Sequence, residues 1–202
     1  ATGRNDQTST LAPGNNSYFY PSFSIAGVFS DKIKLPEWWS YGKLRASWAQ
    51  IGKDYEPYNL NTYYSSYVLS STGQVLWTRD NTKGDDGLKP ERTTTLEIGA
   101  ELQFLKNRIG LDVTYFSNRN TDMIIPLDVA RSSGATNLVI NAGETTAKGL
   151  ETSLRVTPIK NQDFRWDLAF NFSRIRTKVV DTYPGVDRIY LGGFSGNPAI
   201  YA

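Results

Sequence analysis

The sequence predicts an all-β protein, an antiparallel transmembrane β-barrel present as a partial wall of about six strands. Three observations carry the prediction. Apolar and polar residues alternate strictly over stretches long enough to cross a hydrocarbon layer. Short polar turns at one side of the strands alternate with long loops at the other. No run of about 18–20 apolar residues is present, so no helix supplies a membrane span.

The first strand lies in Tyr18–Phe29, where Phe19, Phe23, Ile25 and Phe29 oppose Tyr18, Tyr20, Ser22 and Ser24. The second, in Lys43–Gln50, sets Leu44, Ala46 and Trp48 against Lys43, Arg45, Ser47 and Ala49. Thr93–Phe104 is the clearest. Leu96, Ile98, Ala100, Leu102 and Phe104 occupy one face, and Thr95, Glu97, Gly99, Glu101 and Gln103 the other. Period-2 geometry requires this of a strand between two different solvents; a helix would mix the faces.

Leu105–Arg108 is a short polar turn into the fourth strand, in which Ile109, Leu111, Val113 and Tyr115 alternate with Gly110, Asp112, Thr114 and Phe116. The fifth places Leu150, Thr152, Leu154 and Val156 against Gly149, Glu151, Ser153 and Arg155. After a turn at Pro158–Asp163, the sixth sets Phe164, Trp166, Leu168, Phe170 and Phe172 against Arg165, Asp167, Ala169, Asn171 and Ser173. Extensions are expected at Asp122–Val129 and Asn137–Ala142, on either side of a tip at Arg131–Thr136. The stretches Gly52–Arg92 and Val179 to the end are long connections. Loops beyond about 12–15 residues count against a compact soluble domain, but a barrel carries them on its outer side.

Two solvents compete for the apolar face. In a soluble sandwich a second sheet covers it. In a barrel it meets lipid and the polar face lines a wet lumen. Strand length favours the barrel, because a tilted span needs about 9–11 residues. So do the aromatic residues near strand ends, Phe104, Tyr115, Phe164 and Trp166, which suit a headgroup boundary. The expected lipid-facing set is Leu96, Ile98, Leu102, Phe104, Ile109, Leu111, Val113, Tyr115, Leu150, Leu154, Phe164, Trp166, Leu168, Phe170 and Phe172. The expected lumen-facing set is Glu97, Glu101, Arg108, Asp112, Glu151, Arg155, Arg165 and Asp167. Six strands cannot close a transmembrane barrel, whose minimum is about 8. The remaining barrel of the same protein and the membrane lipid are therefore expected partners.

Composition narrows the chemistry. The 202 residues contain no Cys and no His. That excludes disulfides, Cys/His zinc sites and Ser-His-Asp or Cys-His catalysis. Acids and bases are interspersed at a net charge of +2, which argues against a nucleic-acid surface. The chain opens with Ala1-Thr-Gly-Arg and no Met or apolar leader, which suggests a mature segment, a cleaved product or part of a longer protein.

At this point a resemblance emerges. Leu88-Lys-Pro-Glu91, running on through Arg92–Phe116, and Asn141-Ala-Gly-Glu144 with Lys148-Gly-Leu-Glu151 resemble the C-terminal barrel of TonB-dependent outer-membrane receptors of the SusC/RagA branch. Tyr20–Phe29, Lys43–Gly52 and Trp166–Ser173 agree, so the likeness covers most of residues 18–180. It implies a 22-stranded barrel closed by an N-terminal plug, in the outer membrane of a Gram-negative, Bacteroides-type bacterium. It also implies TonB-powered import, usually of glycan and in some members of peptide, beneath a SusD-like surface lipoprotein. Residues 1–202 would form part of that barrel domain. Neither the plug, through which the TonB complex acts, nor a closing terminal strand is visible in the chain. A same-family barrel serving a secretion assembly, and a soluble carbohydrate-binding sandwich, are the alternatives.

Glu97 and Glu101 share a strand face, but four residues separate them by about 13 Å, too far for a glycosidase pair. No enzyme activity is expected. Asp80-Asn-Thr-Lys-Gly-Asp-Asp-Gly87 could hold calcium through its carboxylates, yet matches no EF-hand loop, and a solvated turn is the default. No other cofactor is expected. Tyr55, Tyr58, Tyr63, Tyr64, Tyr67 and Trp77 crowd the long loop and are the expected contacts for cargo or lid, since flat rings stack on sugars. The plainer reading is that they pack the loop on itself. Trp38, Trp39 and Tyr41 fit an anchor at the opposite, periplasmic interface. Gly192–Gly196 lacks the lysine and the setting of a phosphate loop.

Overall fold

The architecture was obtained as a computed structural model, which describes residues 1–58 and 60–183 and, beyond them, the backbone of Tyr190–Gly192 and Ile200–Tyr201. Residues 193–196 of the glycine-rich run, and most of the stretch after Val179, lie outside the described residues.

A single antiparallel sheet of seven strands dominates. It comprises β1 (Thr2–Gln7), β2 (Ser17–Val28), β3 (Trp39–Lys53), β7 (Glu91–Phe104), β8 (Ile109–Thr121), β11 (Glu144–Lys160) and β12 (Arg165–Asp181), adjacent in that order. Between β3 and β7 the chain forms a detached hairpin, β4 (Tyr64–Val68) and β5 (Val75–Arg79), and the short β6 (Thr82–Lys83). Between β8 and β11 it forms β9 (Ile124–Asp128) and β10 (Asn137–Asn141), separated by a 3₁₀ turn at Arg131–Ser133. The expected extensions are thus real strands, and β6 joins them by pairing in parallel with β10.

Six of the seven strands are those marked by alternation. They run 12 to 17 residues, and all but β2 extend beyond the alternating stretch in the sequence. The seventh, β1, reads Thr-Gly-Arg-Asn-Asp-Gln and has no apolar period. It is a strand because β2 offers it an edge: Thr2 through Gln7 pair with Ser22 through Ser17. The β7–β8 turn is tight because Leu105, Lys106 and Asn107 all take positive φ, with the Leu105 amide bonded to the Trp38 carbonyl at 2.7 Å.

No second layer covers this sheet among the described residues. The buried apolar side chains belong to the loop end instead. Leu11, Leu88, Ile124 and Val139 form one cluster, and Leu127, Ile140 and Ala142 another. The sandwich reading required the opposite, with Leu96, Ile98, Leu111, Val113, Leu168 and Phe170 packed under protein. Ile98 is 52% exposed and Phe170 57%, and none of the six is buried. No helix among the described residues is long and apolar enough to cross a membrane.

Candidate functional site

Directly opposed residues of an antiparallel pair share a face, so the register sorts every strand residue onto one side of the sheet. Leu96, Ile98, Leu102 and Phe104 of β7 fall on the same face as Ile109, Leu111, Val113 and Tyr115 of β8. Leu150 and Leu154 of β11, and Trp166, Leu168, Phe170 and Phe172 of β12, join them. Phe164 is the exception, because it lies in the turn before β12, where its amide is tied to the Asn161 side chain at 2.7 Å. Glu97, Glu101, Asp112, Glu151, Arg155, Arg165 and Asp167 occupy the opposite face. Arg108 sits in the β7–β8 turn rather than on a strand.

The apolar band is staggered. One row of opposed residues runs Phe23, Trp48, Leu96, Ser117, Lys148, Arg176 from β2 to β12. On β2 the band reaches Phe19, four residues above that row; on β12 it stops at Phe172, four residues below. Eight residues are about 27 Å along the strands, and five inter-strand steps are about 24 Å across them. The band therefore runs at roughly 45–50° to the rows, close to the tilt of about 35–45° of strands in membrane barrels. At its lower edge, the end with the short turns, rings gather. Phe104 stacks on Trp38 at 5.8 Å and lies 5.3 Å from Trp39, which meets Phe29 edge-on at 5.8 Å.

The polar face is organised around Arg45, which the sequence reading placed on that face without a role. Its guanidinium crosses over β7 to grip Asp112 of β8 at 2.7 and 2.9 Å, and it donates to the Thr114 hydroxyl at 2.6 Å. Gly99 makes the crossing feasible, since a Cβ there would sit 2.6 Å from Arg45 Nε. Glu101 stands opposite both Lys43 and Asp112, whereas Glu97 stands opposite Ser47 and Phe116, so the two glutamates do not form a pair. Nearer the turns, Asp167 accepts from Thr157 at 2.6 Å and from Arg165 at 2.7 Å. With Glu101, Arg108 and Arg155 these groups line an open recess of about 520 Å³.

At the loop end, the two runs that carry the family resemblance meet. The Asn141 amide donates to the carbonyls of Lys89 and Asp122, each at 2.8 Å, while its oxygen accepts from the Lys89 amide at 2.7 Å. Glu91 accepts from the Ile124 amide at 2.9 Å, and Leu88 is fully buried beside Val139. Glu144 holds Arg119 through two bonds of 2.7 Å. Both runs therefore act as a clamp that closes the base of the loops over the strand ends.

The six loop aromatics are not brought together. Tyr55 packs against the Leu11–Leu88 cluster, which is the plainer of its two readings. Tyr58 and Tyr63 touch edge-on at 6.4 Å. In the β4–β5 hairpin, Tyr64 and Trp77 share one face with Val68 and Val75, and Tyr67 shares the other with Leu76. Trp77 is 69% exposed, and both faces of the hairpin are open. In the acidic segment, Asp80 and Asp85 accept from the Thr82 and Gly87 amides, and no three metal-ligating side chains converge among the described residues.

Two signals of function escaped the sequence reading. One is the Arg45–Gly99–Asp112 arrangement, which spans three strands. The other is legible in retrospect: beyond Phe172 the even-numbered face of β12 turns from aromatic to basic.

Comparison with known proteins gives a consistent picture. The family model for the TonB-dependent receptor-like β-barrel matches residues 1–200. TonB-dependent receptor P3 of Formosa agariphila is 31% identical over 204 residues, covering 97% of this chain and 20% of its own. TonB-dependent receptor SusC of Bacteroides thetaiotaomicron is 25% identical over 199 residues, covering 94% and 20%. Among solved structures, the RagAB peptide importer in its closed-closed state superposes with a TM-score of 0.82 at 22% identity, covering 94% of this chain and 21% of that one. At that identity the likeness is one of fold. The chain spans about a fifth of the length of the curated relatives it matches.

Proposed function

The chain belongs to the TonB-dependent receptor β-barrel family, and from that premise we propose that it forms part of the wall of an outer-membrane active transporter that imports glycans or peptides with TonB-derived energy beneath a SusD-like surface lipoprotein. The relatives reported above are receptors, not enzymes, and the reading assigns no chemical step to any residue. The remaining wall and the plug that couples to TonB are contributed by the rest of the receptor. A Bacteroides-type cell envelope follows from the kinship with the Formosa and Bacteroides receptors.

The observation that supports this best is the bare apolar band on a single-layer sheet. From Phe19 to Phe29 the band covers ten residue steps, about 33 Å of strand, or roughly 23 Å across a 45° tilt. The apolar belt of outer-membrane barrels is about 25 Å tall. The ring cluster at Trp38, Trp39 and Phe104 marks the periplasmic boundary, where amphipathic rings suit the headgroup layer. The opposite face, carrying charges of both signs, lines a wet lumen against the plug. The exposed β4–β5 hairpin offers Tyr64, Tyr67 and Trp77, with Tyr58 and Tyr63 beside it, to cargo or lid.

The test uses the full-length receptor in its native host. Affinity purification from detergent-extracted outer membranes should bring down a surface lipoprotein. Uptake of labelled glycan or peptide should stop when TonB is deleted. Release of the receptor by a carbonate wash without detergent, or uptake indifferent to TonB, would overturn the proposal.

A further inference from the structure

On the apolar face, the charges that the strands of the sheet carry are distributed in one direction only. Among the described residues of the strands, the acids on this face are Glu144, already engaged by Arg119, and Asp181, which stands opposite Glu144 at the very end of β12 and accepts from the Thr182 amide. The bases all lie at the loop end, directly above the apolar band. Tyr115, Leu150 and Arg174 lie abreast; the next row is Ser117, Lys148, Arg176; the next is Arg119, Thr146, Lys178. The polar face, by contrast, mixes both signs along its whole height.

Lys148, Arg174, Arg176 and Lys178 are exposed and form no ion pair among the described residues. Lys148 stands directly opposite Arg176. Like charges in that position repel, so the arrangement disfavours the folded sheet until an anion lies between them. The four cations fall within two adjacent strands and about 13 Å along them, within reach of one multivalent headgroup. Guanidinium groups grip phosphate oxygens in pairs.

We propose that Lys148, Arg174, Arg176 and Lys178 form a binding site for phosphate-bearing lipid headgroups of the outer leaflet. This rests on the reading of the apolar face as lipid-facing. Their height supplies the argument for lipid over a protein partner, because they begin one row above Phe172 and abreast of Leu150, the last apolar residue of β11 on this face, where hydrocarbon gives way to headgroups. Basic residues at that depth draw anionic lipid, and the attraction fades with salt.

The experiment uses the full-length receptor, folded into phosphatidylcholine vesicles with or without diphosphorylated lipid A. The urea midpoint of the wild type should rise with lipid A, and the rise should shrink in high salt. The combined K148Q/R174Q/R176Q/K178Q variant should need at least about tenfold more lipid A for the same rise. Inorganic phosphate alone should not reproduce it. Equal midpoints for the wild type in both lipids, full retention of the response in the glutamine variant, or a full shift with inorganic phosphate would each overturn the site. If the variant does not fold, the wild-type lipid preference and its salt dependence decide. A fluorophore on L111C reports separately on the face: quenching by brominated acyl chains confirms lipid there, so a missing lipid A response then refutes this site alone.

Discussion

Gly99 is the position where a single methyl group tests the logic of the polar face. In Gly99→Ala the new Cβ would lie 2.6 Å from Arg45 Nε, 2.9 Å from Cζ and 3.1 Å from Cγ. The flexible arginine moves aside, so the cost is the lost grip on Asp112 and Thr114 rather than a clash. Hydrogen bonds to charged groups contribute about 1.5–3 kcal/mol. The two side chains are 37% and 38% exposed, and solvent screening reduces the loss to about 1–2 kcal/mol. Alanine regains roughly 0.5–1 kcal/mol over glycine within a strand, leaving a net destabilisation of about 0.5–1 kcal/mol. The assay is urea unfolding of the full receptor in micelles, read from the folded and unfolded bands on a gel. Asp112→Asn, which removes the same contact, should cost about 1–2 kcal/mol alone and close to nothing in the Gly99→Ala background. Costs that add in the double variant would show that Arg45 does not depend on the space above Gly99.

Other expectations concern the loop end. Leu88→Ala removes a fully buried side chain and should cost about 2–5 kcal/mol locally, seen as faster amide exchange at Ile124 and Val139 with β7 and β8 unchanged. Excising residues 64–79 and joining Tyr63 to Asp80, whose amide already bonds the Tyr63 carbonyl at 3.0 Å, should leave the barrel's urea midpoint intact and weaken cargo or lid binding severalfold. The Thr8 hydroxyl, donating at 2.6 Å with Thr10 behind it, holds the Asp54 carboxyl below its ordinary value. A lowered carboxylate stabilises the fold above its unfolded pKa and loses that contribution as pH falls through the folded one. Protection of the Thr8–Leu11 amides should therefore be constant at neutral pH, decline only below about pH 4, and be pH-independent in Asp54→Asn.

Legibility followed the range of the interaction. β7 and β8 could be read to within a few residues because two solvents imprint period 2 on every position. β1 left no trace, because its six residues owe their conformation to the open edge of β2. The β4–β5 hairpin appeared only as a density of tyrosines. Its two exposed faces impose no single polar side, so nothing in the pattern separates Tyr64 and Trp77 from Tyr67. The Leu88–Glu91 and Asn141–Glu144 runs were recognisable by resemblance, yet their joint action was not. Asn141 reaches the Lys89 backbone across 52 positions, and an asparagine bound to distant main chain looks locally like any other.

Composition and alternation by themselves determined the class of this protein. They established strands, their two unlike faces, the side with short turns, and the absence of histidine or cysteine chemistry, because each of these is a local consequence of side-chain type and strand geometry. Only the tertiary structure decided the register, and with it the slope of the apolar band, the arginine lying across a glycine, the asparagine clamp, and the stacking of basic residues above the band. Those depend on which residues lie opposite one another in neighbouring strands, and that is set by pairing across dozens of residues rather than by any short stretch of chain.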